Sequence, residues 1–189
     1  MPGPPPKNLI LTGYACPICG MRHASLPLKF SVKAPLAVTA IPVDELEKRV
    51  VITPDQCVID GRDFYLRGRI VLPVHGSKDP FVWGVWAEVS PKSFLRTNHL
   101  WKTEGRENQP SFPGWLHTEL PLYGNTLNLE VSVETQPVGR RPHFLVSDPQ
   151  HPLAIEQSQG ISQERAGEIA AEVLHAEEKA AENKTPHIP

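Results

Sequence analysis

The chain has 189 residues, of which 40% are hydrophobic and 21% charged, with a net charge of −2. That length and balance suit one globular domain with a buried core. The lack of a basic excess argues against a nucleic-acid backbone or an anionic bilayer as partner, and no apolar run comes near the ~20 residues of a membrane helix.

The 21 prolines favour ordered loops, extended segments and edge strands over a helical bundle. Residues 1–8 are proline-rich and predict a disordered tail ahead of a single domain at 9–181, with a second tail at 182–189. The opening residues lack a charged stretch followed by an apolar one, so no secretory signal is expected. With three cysteines, an odd number, a disulfide framework is not expected either, and the anticipated setting is cytoplasmic and reduced.

Leu9 to Leu28 holds the first two cysteines, and Lys29 to Ala40 reads as a loop or irregular strand. Pro42 to Arg49 predicts a short helix, because proline suits the first helical position and Asp44 and Glu45 meet the positive end of the helix dipole. Gln56 to Ile59 and Asp63 to Leu72 flank Asp60-Gly61-Arg62, a strong hairpin signal. In the second of these strands Phe64, Leu66, Ile70 and Leu72 share one face, and Tyr65, Arg67, Arg69 and Val71 the other.

Phe81 to Val89 is almost continuously apolar and predicts a central strand. Ser90-Pro91 then caps a helix running to about Trp101, with Phe94, Leu95 and Trp101 facing inward. Lys102 to Pro113 reads as a loop, Gly114 to Leu120 as the border of a strand, Leu127 to Val133 as a strand with one buried face, and His143 to Val146 as a short final strand. From Ile161 to about Ala181, Ala166, Ile169, Ala170, Val173 and Leu174 recur at helical spacing behind a Ser162 cap. The predicted fold class is α+β: a mainly antiparallel sheet with a C-terminal helix, short inserted helices and a zinc-knuckle-like N-terminal loop.

Tyr14 to His23 reads YACPICGMRH. Cys16 and Cys19 are spaced to present both sulfurs to one ion, and Gly20 permits the tight reversal such a knuckle needs. A redox pair or two ordinary loop thiols are the other readings, although a reactive pair wants a helix N-terminus that this stretch does not announce. Structural zinc takes four ligands, so a knuckle needs two more. Cys57 is the remaining cysteine; alone it reads as a small buried hydrophobe in a strand. His23 and His151 are the histidines considered beside it, and spacing does not choose between them.

Trp83 and Trp86 are three apart on a strand and must point to opposite faces, either into a core or along an aromatic groove. The segment from His151 to Gly160 reads as a polar loop in which His151, Glu156 and Gln157 form a candidate polar site. Trp83, Trp86, His151 and Gln157 together are the candidate ligand or partner surface. Arg62, Arg67, Arg69, Arg140 and Arg141 read as solvated charges or as an anion site gathered by folding. The chain contains no phosphate-binding glycine loop, no His-Glu-x-x-His pair and no Gly-x-Ser-x-Gly elbow.

The stretches CPICGMRH, DQCVIDGRDFYLRGRIVLPV, FVWGVWAEVS, GWLHTELPLYGNT, GRRP and HPLAIEQSQGI follow one another in an order that resembles a bacterial family known as domain of unknown function 2199. The resemblance runs from about Ala15 to Leu174. It implies no particular activity. It associates Cys16, Cys19, His23, Cys57 and His151 with recurring family segments, and the chain departs from it at Met21-Arg22, where a more acidic pair is expected. The reading carried forward is a binding module without catalysis, its zinc held by Cys16, Cys19, Cys57 and His23 and pinning the N-terminal loop to the hairpin. Its partner would be a protein or a small ligand. The alternatives are an immunity-type protein that blocks a partner, and a metal-dependent enzyme with an open zinc site using His151 or Glu156 as acid or base.

Overall fold

The computed structural model describes residues 14–16, 18–23 and 27–182, and of residues 23 and 177–182 the backbone only. The expected tails, residues 1–8 and 182–189, lie outside the described residues except for the backbone of residue 182, which ends the last helix. Strands β1 (Tyr14–Ala15) and β2 (Arg22–His23) form a small antiparallel hairpin of their own. β3 (Lys29–Ser31) follows, then 3-10 turns at Leu36–Ala40 and Val43–Glu45, and the single helical turn α1 (Leu46–Arg49) where Pro42 predicts a helix start. An edge strand β4 (Val50–Ile52), absent from the sequence reading, fills the space before Pro54.

β5 (Gln56–Ile59) and β6 (Asp63–Leu72) are joined at Asp60 and Gly61, both at positive φ (51° and 67°), and the Arg62 N–H closes the turn onto the Ile59 carbonyl at 3.0 Å. That is the geometry whose twist matches paired strands. β6 then pairs antiparallel along its length with β7 (Phe81–Val89), from Phe64↔Val89 to Leu72↔Phe81. α2 (Pro91–His99) starts as expected, the Ser90 hydroxyl accepting from the Ser93 N–H at 3.1 Å. Phe94 is buried, but Leu95 is 64% exposed, because the helix rests on β6 by a narrow stripe only.

The remaining strands close the sheet. β8 (Phe112–Leu116) begins inside the segment read as a loop and pairs with the far end of β7; β9 (Glu130–Glu134) pairs with β8, and β10 (His143–Val146) with β9. β10 returns to β6 in parallel at His143↔Arg69, so β6, β7, β8, β9 and β10 form a closed ring. β3 lies parallel beside the first half of β7, and β5 and β4 extend from the first half of β6. Among the named strands of the described residues the other pairings are antiparallel, and an isolated parallel bridge joins Val74 to Ile161.

Alternation decides what lies on either side. Leu66, Ile70, Leu72, Val85, Val133 and Phe144 belong to the main core and are fully or almost fully buried. Gly68 lies among them because a Cβ there would overlap the Phe144 ring. Tyr65 and Trp86, on the opposite face of the same strands, form a second cluster with Ile41, Cys57 and Ile59. The main core extends to α3 (Pro152–Gln159) through Leu153 and to α4 (Gln163–Glu182) through Ala166, Ile169 and Ala170. Sequence reading placed a loop where α3 stands. Its cap is His151, whose Nδ1 accepts from the Leu153 N–H at 3.2 Å, with Pro152 at the first helical position. α4 is capped by Ser162, as expected, the hydroxyl accepting from the Arg165 N–H at 3.1 Å.

Candidate metal centre

The hairpin of β1 and β2 builds a sulfur-bearing loop. The Cys16 N–H donates to the Met21 carbonyl and the Gly20 N–H to the Cys16 carbonyl, both at 2.9 Å, and Gly20 takes φ 72°. This left-handed turn is open to glycine at little cost. It folds Cys19 back beside Cys16. The hairpin is seated on α4 by Tyr14, whose ring occupies the space where a Cβ at Gly167 would stand.

Two turns further along α4, His175 completes a group. The Cys16 Sγ and His175 Nε2 are 3.3 Å apart, and the donor atoms of Cys16, Cys19 and His175 all lie within 4.8 Å of one another. Tetrahedral zinc, with Zn–S near 2.3 Å and Zn–N near 2.0 Å, holds neighbouring donors about 3.5–3.8 Å apart. The Cys16–His175 contact is close to that spacing, and the chemistry suits an ion, since two thiolates and an imidazole form a soft-to-borderline donor set. Burial of Cys16 (3% exposed) by itself raises its thiol pKa. The Cys19 N–H, the His175 ring, the Ile18 N–H and the Cys19 side chain outweigh that effect and bring it down to about 6. The site therefore favours the deprotonated sulfur that a metal requires.

Cys57 is not part of this group, which corrects the sequence reading. Its side chain is fully buried on the face of β5 that packs with Ile41, Ile59, Tyr65 and Trp86. α4 packs with the main core on the other face, so the Cys57 sulfur points away from the hairpin. Burial pushes its thiol up to about 11, the behaviour of an inert core residue. His23 is the β2 residue paired with Tyr14, and its side chain lies outside the described residues. His175 went unnoticed because it follows the fading end of an apolar stripe and has no sequence spacing to the cysteines.

The candidate partner surface divides. Trp83 and Trp86 do face opposite sides. Trp83 borders an apolar groove of about 580 Å³ with Phe30, Leu120, Pro121 and Val173. Trp86 is fully buried, its indole N–H donating to the Val32 carbonyl at 3.1 Å, so it offers no surface. His151 caps α3, and Gln157 pairs with β10, accepting from the Val146 N–H at 3.0 Å and donating to the Phe144 carbonyl at 2.7 Å. Both side chains are thus engaged within the fold. Glu156 is held by the Tyr123 hydroxyl and by Arg165 at 2.8 Å.

A closed mixed sheet with a cysteine hairpin laid on its C-terminal helix defines an α+β protein with a candidate Cys₂His metal centre. Among the described residues no helix is long and apolar enough to cross a membrane. The family model for an uncharacterized protein conserved in bacteria (DUF2199) matches residues 15–161, and the chain belongs to that family. No curated protein and no solved structure matches it. The matched segment includes Cys16 and Cys19 and ends before His175.

Proposed function

We propose that this protein is a metal-stabilised binding module, in which a zinc ion held by Cys16, Cys19 and His175 fastens the N-terminal hairpin to α4. The supporting observation is that donors 159 residues apart in the chain meet at 3.3 Å, beside a second sulfur. A hairpin of two two-residue strands buries too little to hold itself in place, and an ion that clamps it supplies folding free energy directly. His23 is the proposed fourth ligand. A filled tetrahedral site leaves no position for a reacting water, so the metal's role is structural. The module works in a reducing, cytoplasmic setting; no disulfide joins the described cysteines.

A second reading is an open site, with water in the fourth position and metal-assisted chemistry. It is favoured by one observation, that the described residues supply three donors and not four. Against it, Glu156, the carboxylate proposed as base, is already engaged by Tyr123 and Arg165. Elemental analysis of purified protein tests the first reading. One equivalent of zinc is expected in the wild type and in Cys57→Ser, with loss in Cys16→Ser and His175→Ala. Metal-free wild type, or zinc lost in Cys57→Ser alone, contradicts it. Zinc retained in His23→Ala together with hydrolytic activity would favour the open site.

A further inference from the structure

The outward face of β6, the 3-10 turn Arg106–Asn108 and the loop ahead of β10 bring four guanidinium groups together. Arg69, Arg106, Arg140 and Arg141 line an open cleft of about 560 Å³, with Asp55 as the acidic group in its wall and Trp101 beside them. Four cations against one carboxylate is a local excess in a chain whose net charge is −2. His143, in contact with Arg69, responds to it: burial first, then Arg69, and also Arg140 hold its imidazole below the usual histidine value, with Glu134 opposing.

The four side chains have different tasks. Arg106 is buried and points inward, its Nε donating to the Gln136 carbonyl (2.7 Å), Nη1 to Trp101 (2.9 Å) and Nη2 to Pro137 (3.2 Å) and Arg140 (2.8 Å). It thereby fixes the loop that carries Arg140 and Arg141. Arg141 is partly engaged, its Nε on Asp55 at 2.6 Å and its Nη2 on the Pro54 carbonyl at 3.3 Å. Arg69 donates through Nη2 to His143 Nε2 at 3.2 Å, and its Nε is buried without an acceptor. Arg140 is exposed, and its guanidinium makes no hydrogen bond or ion pair among the described residues.

We propose that this cleft binds the phosphoryl group of a small phosphorylated molecule, with Arg69, Arg140 and Arg141 as donors and Trp101 as the wall for the rest of the molecule. Planar guanidinium forks match the oxygens of an oxyanion in pairs. A dianionic phosphate balances the surplus charge better than one carboxylate does. The volume lies within the roughly 300–1,000 Å³ of small-molecule pockets, more than a bare phosphate ion fills. Because Arg106 holds the loop beforehand, little ordering cost remains at binding. The inference deepens the binding half of the reading above and is independent of its metal half.

The test is isothermal titration of the full chain with a nucleoside 5′-monophosphate, the parent nucleoside, inorganic phosphate and a tricarboxylate. Zinc content is measured on the same samples, so that failure of the metal reading is seen separately. The monophosphate binds with a change in tryptophan fluorescence, inorganic phosphate binds more weakly and competes, and the nucleoside does not bind. Arg140→Ala and Arg69→Gln each weaken the monophosphate by about ten-fold or more, as loss of a charge-assisted contact requires. Arg140 lies on the surface, so that variant keeps its fold, checked by circular dichroism. Any of four results overturns the proposal: no heat from either phosphate, the nucleoside binding as tightly as its phosphate, a tricarboxylate binding more tightly, or affinity unchanged in both variants.

Discussion

Truncating Arg106 to alanine removes four inward hydrogen bonds made by one buried cation. Bonds to a charged donor contribute about 1.5–3 kcal/mol each, so four would approach ~10 kcal/mol if nothing replaced them. Two effects reduce that. The vacated space opens onto the cleft, so water can reach the abandoned carbonyls of Trp101, Gln136, Pro137 and Arg140. Burying the guanidinium also carries a desolvation penalty of several kcal/mol, which the variant no longer bears. The expected net loss is about 3 kcal/mol, in line with breaking a buried charged network. For a chain of this length that lowers Tm by roughly 6–12 °C. Arg106→Lys keeps the charge but has one nitrogen to serve four carbonyls, and loses about half as much. Urea unfolding followed by tryptophan fluorescence measures both. A loss below about 1 kcal/mol for Arg106→Ala, or a lysine variant as stable as the wild type, refutes the claim that this side chain holds the loop.

Three further outcomes follow from the packing. Gly68→Ala places a Cβ into the buried Phe144 ring and costs about 1–3 kcal/mol by overpacking; Phe144→Leu in the same chain recovers part of it, and additive losses in the double-mutant cycle would contradict the contact. His143 titrates below the ordinary histidine value of 6.5, since burial and Arg69 disfavour its cation. The unfolded chain then takes up the proton first as pH falls, so this histidine's stabilising contribution is present above 6.5 and is lost from there down to its folded pKa; NMR titration at or above 6.5 would contradict this. Iodoacetamide at neutral pH leaves Cys57 unmodified in the native protein, because its thiol is buried and held up to about 11, and alkylates it after unfolding. Rapid native labelling at Cys57, read by peptide mass spectrometry, would show that the second cluster is open.

Much of the framework is legible in local sequence signals. The Asp60-Gly61 turn, the alternation through β6, the apolar run of β7 and the Ser90-Pro91 and Ser162 caps each act over a few residues, and each is found where it was read. What escapes is long-range. The ring closes through a parallel pairing of β10 with β6, which no neighbouring residues announce. α3 escapes because its cap is a histidine and its surface is polar. The candidate site was half legible: Cys16 and Cys19 signal themselves by spacing, whereas His175 depends on where Tyr14 seats the hairpin along α4. Cys57 misled because strand alternation shows that a residue faces one side of a sheet, not which side the last helix will cover.

X-ray absorption at the zinc edge, on the purified full chain, tests the central claim most directly. The account predicts two sulfur scatterers near 2.3 Å and two nitrogen scatterers near 2.0 Å, with the zinc signal lost in His175→Ala and the spectrum of Cys57→Ser unchanged. A shell of three sulfurs that depends on Cys57, or a spectrum indifferent to His175, would contradict it.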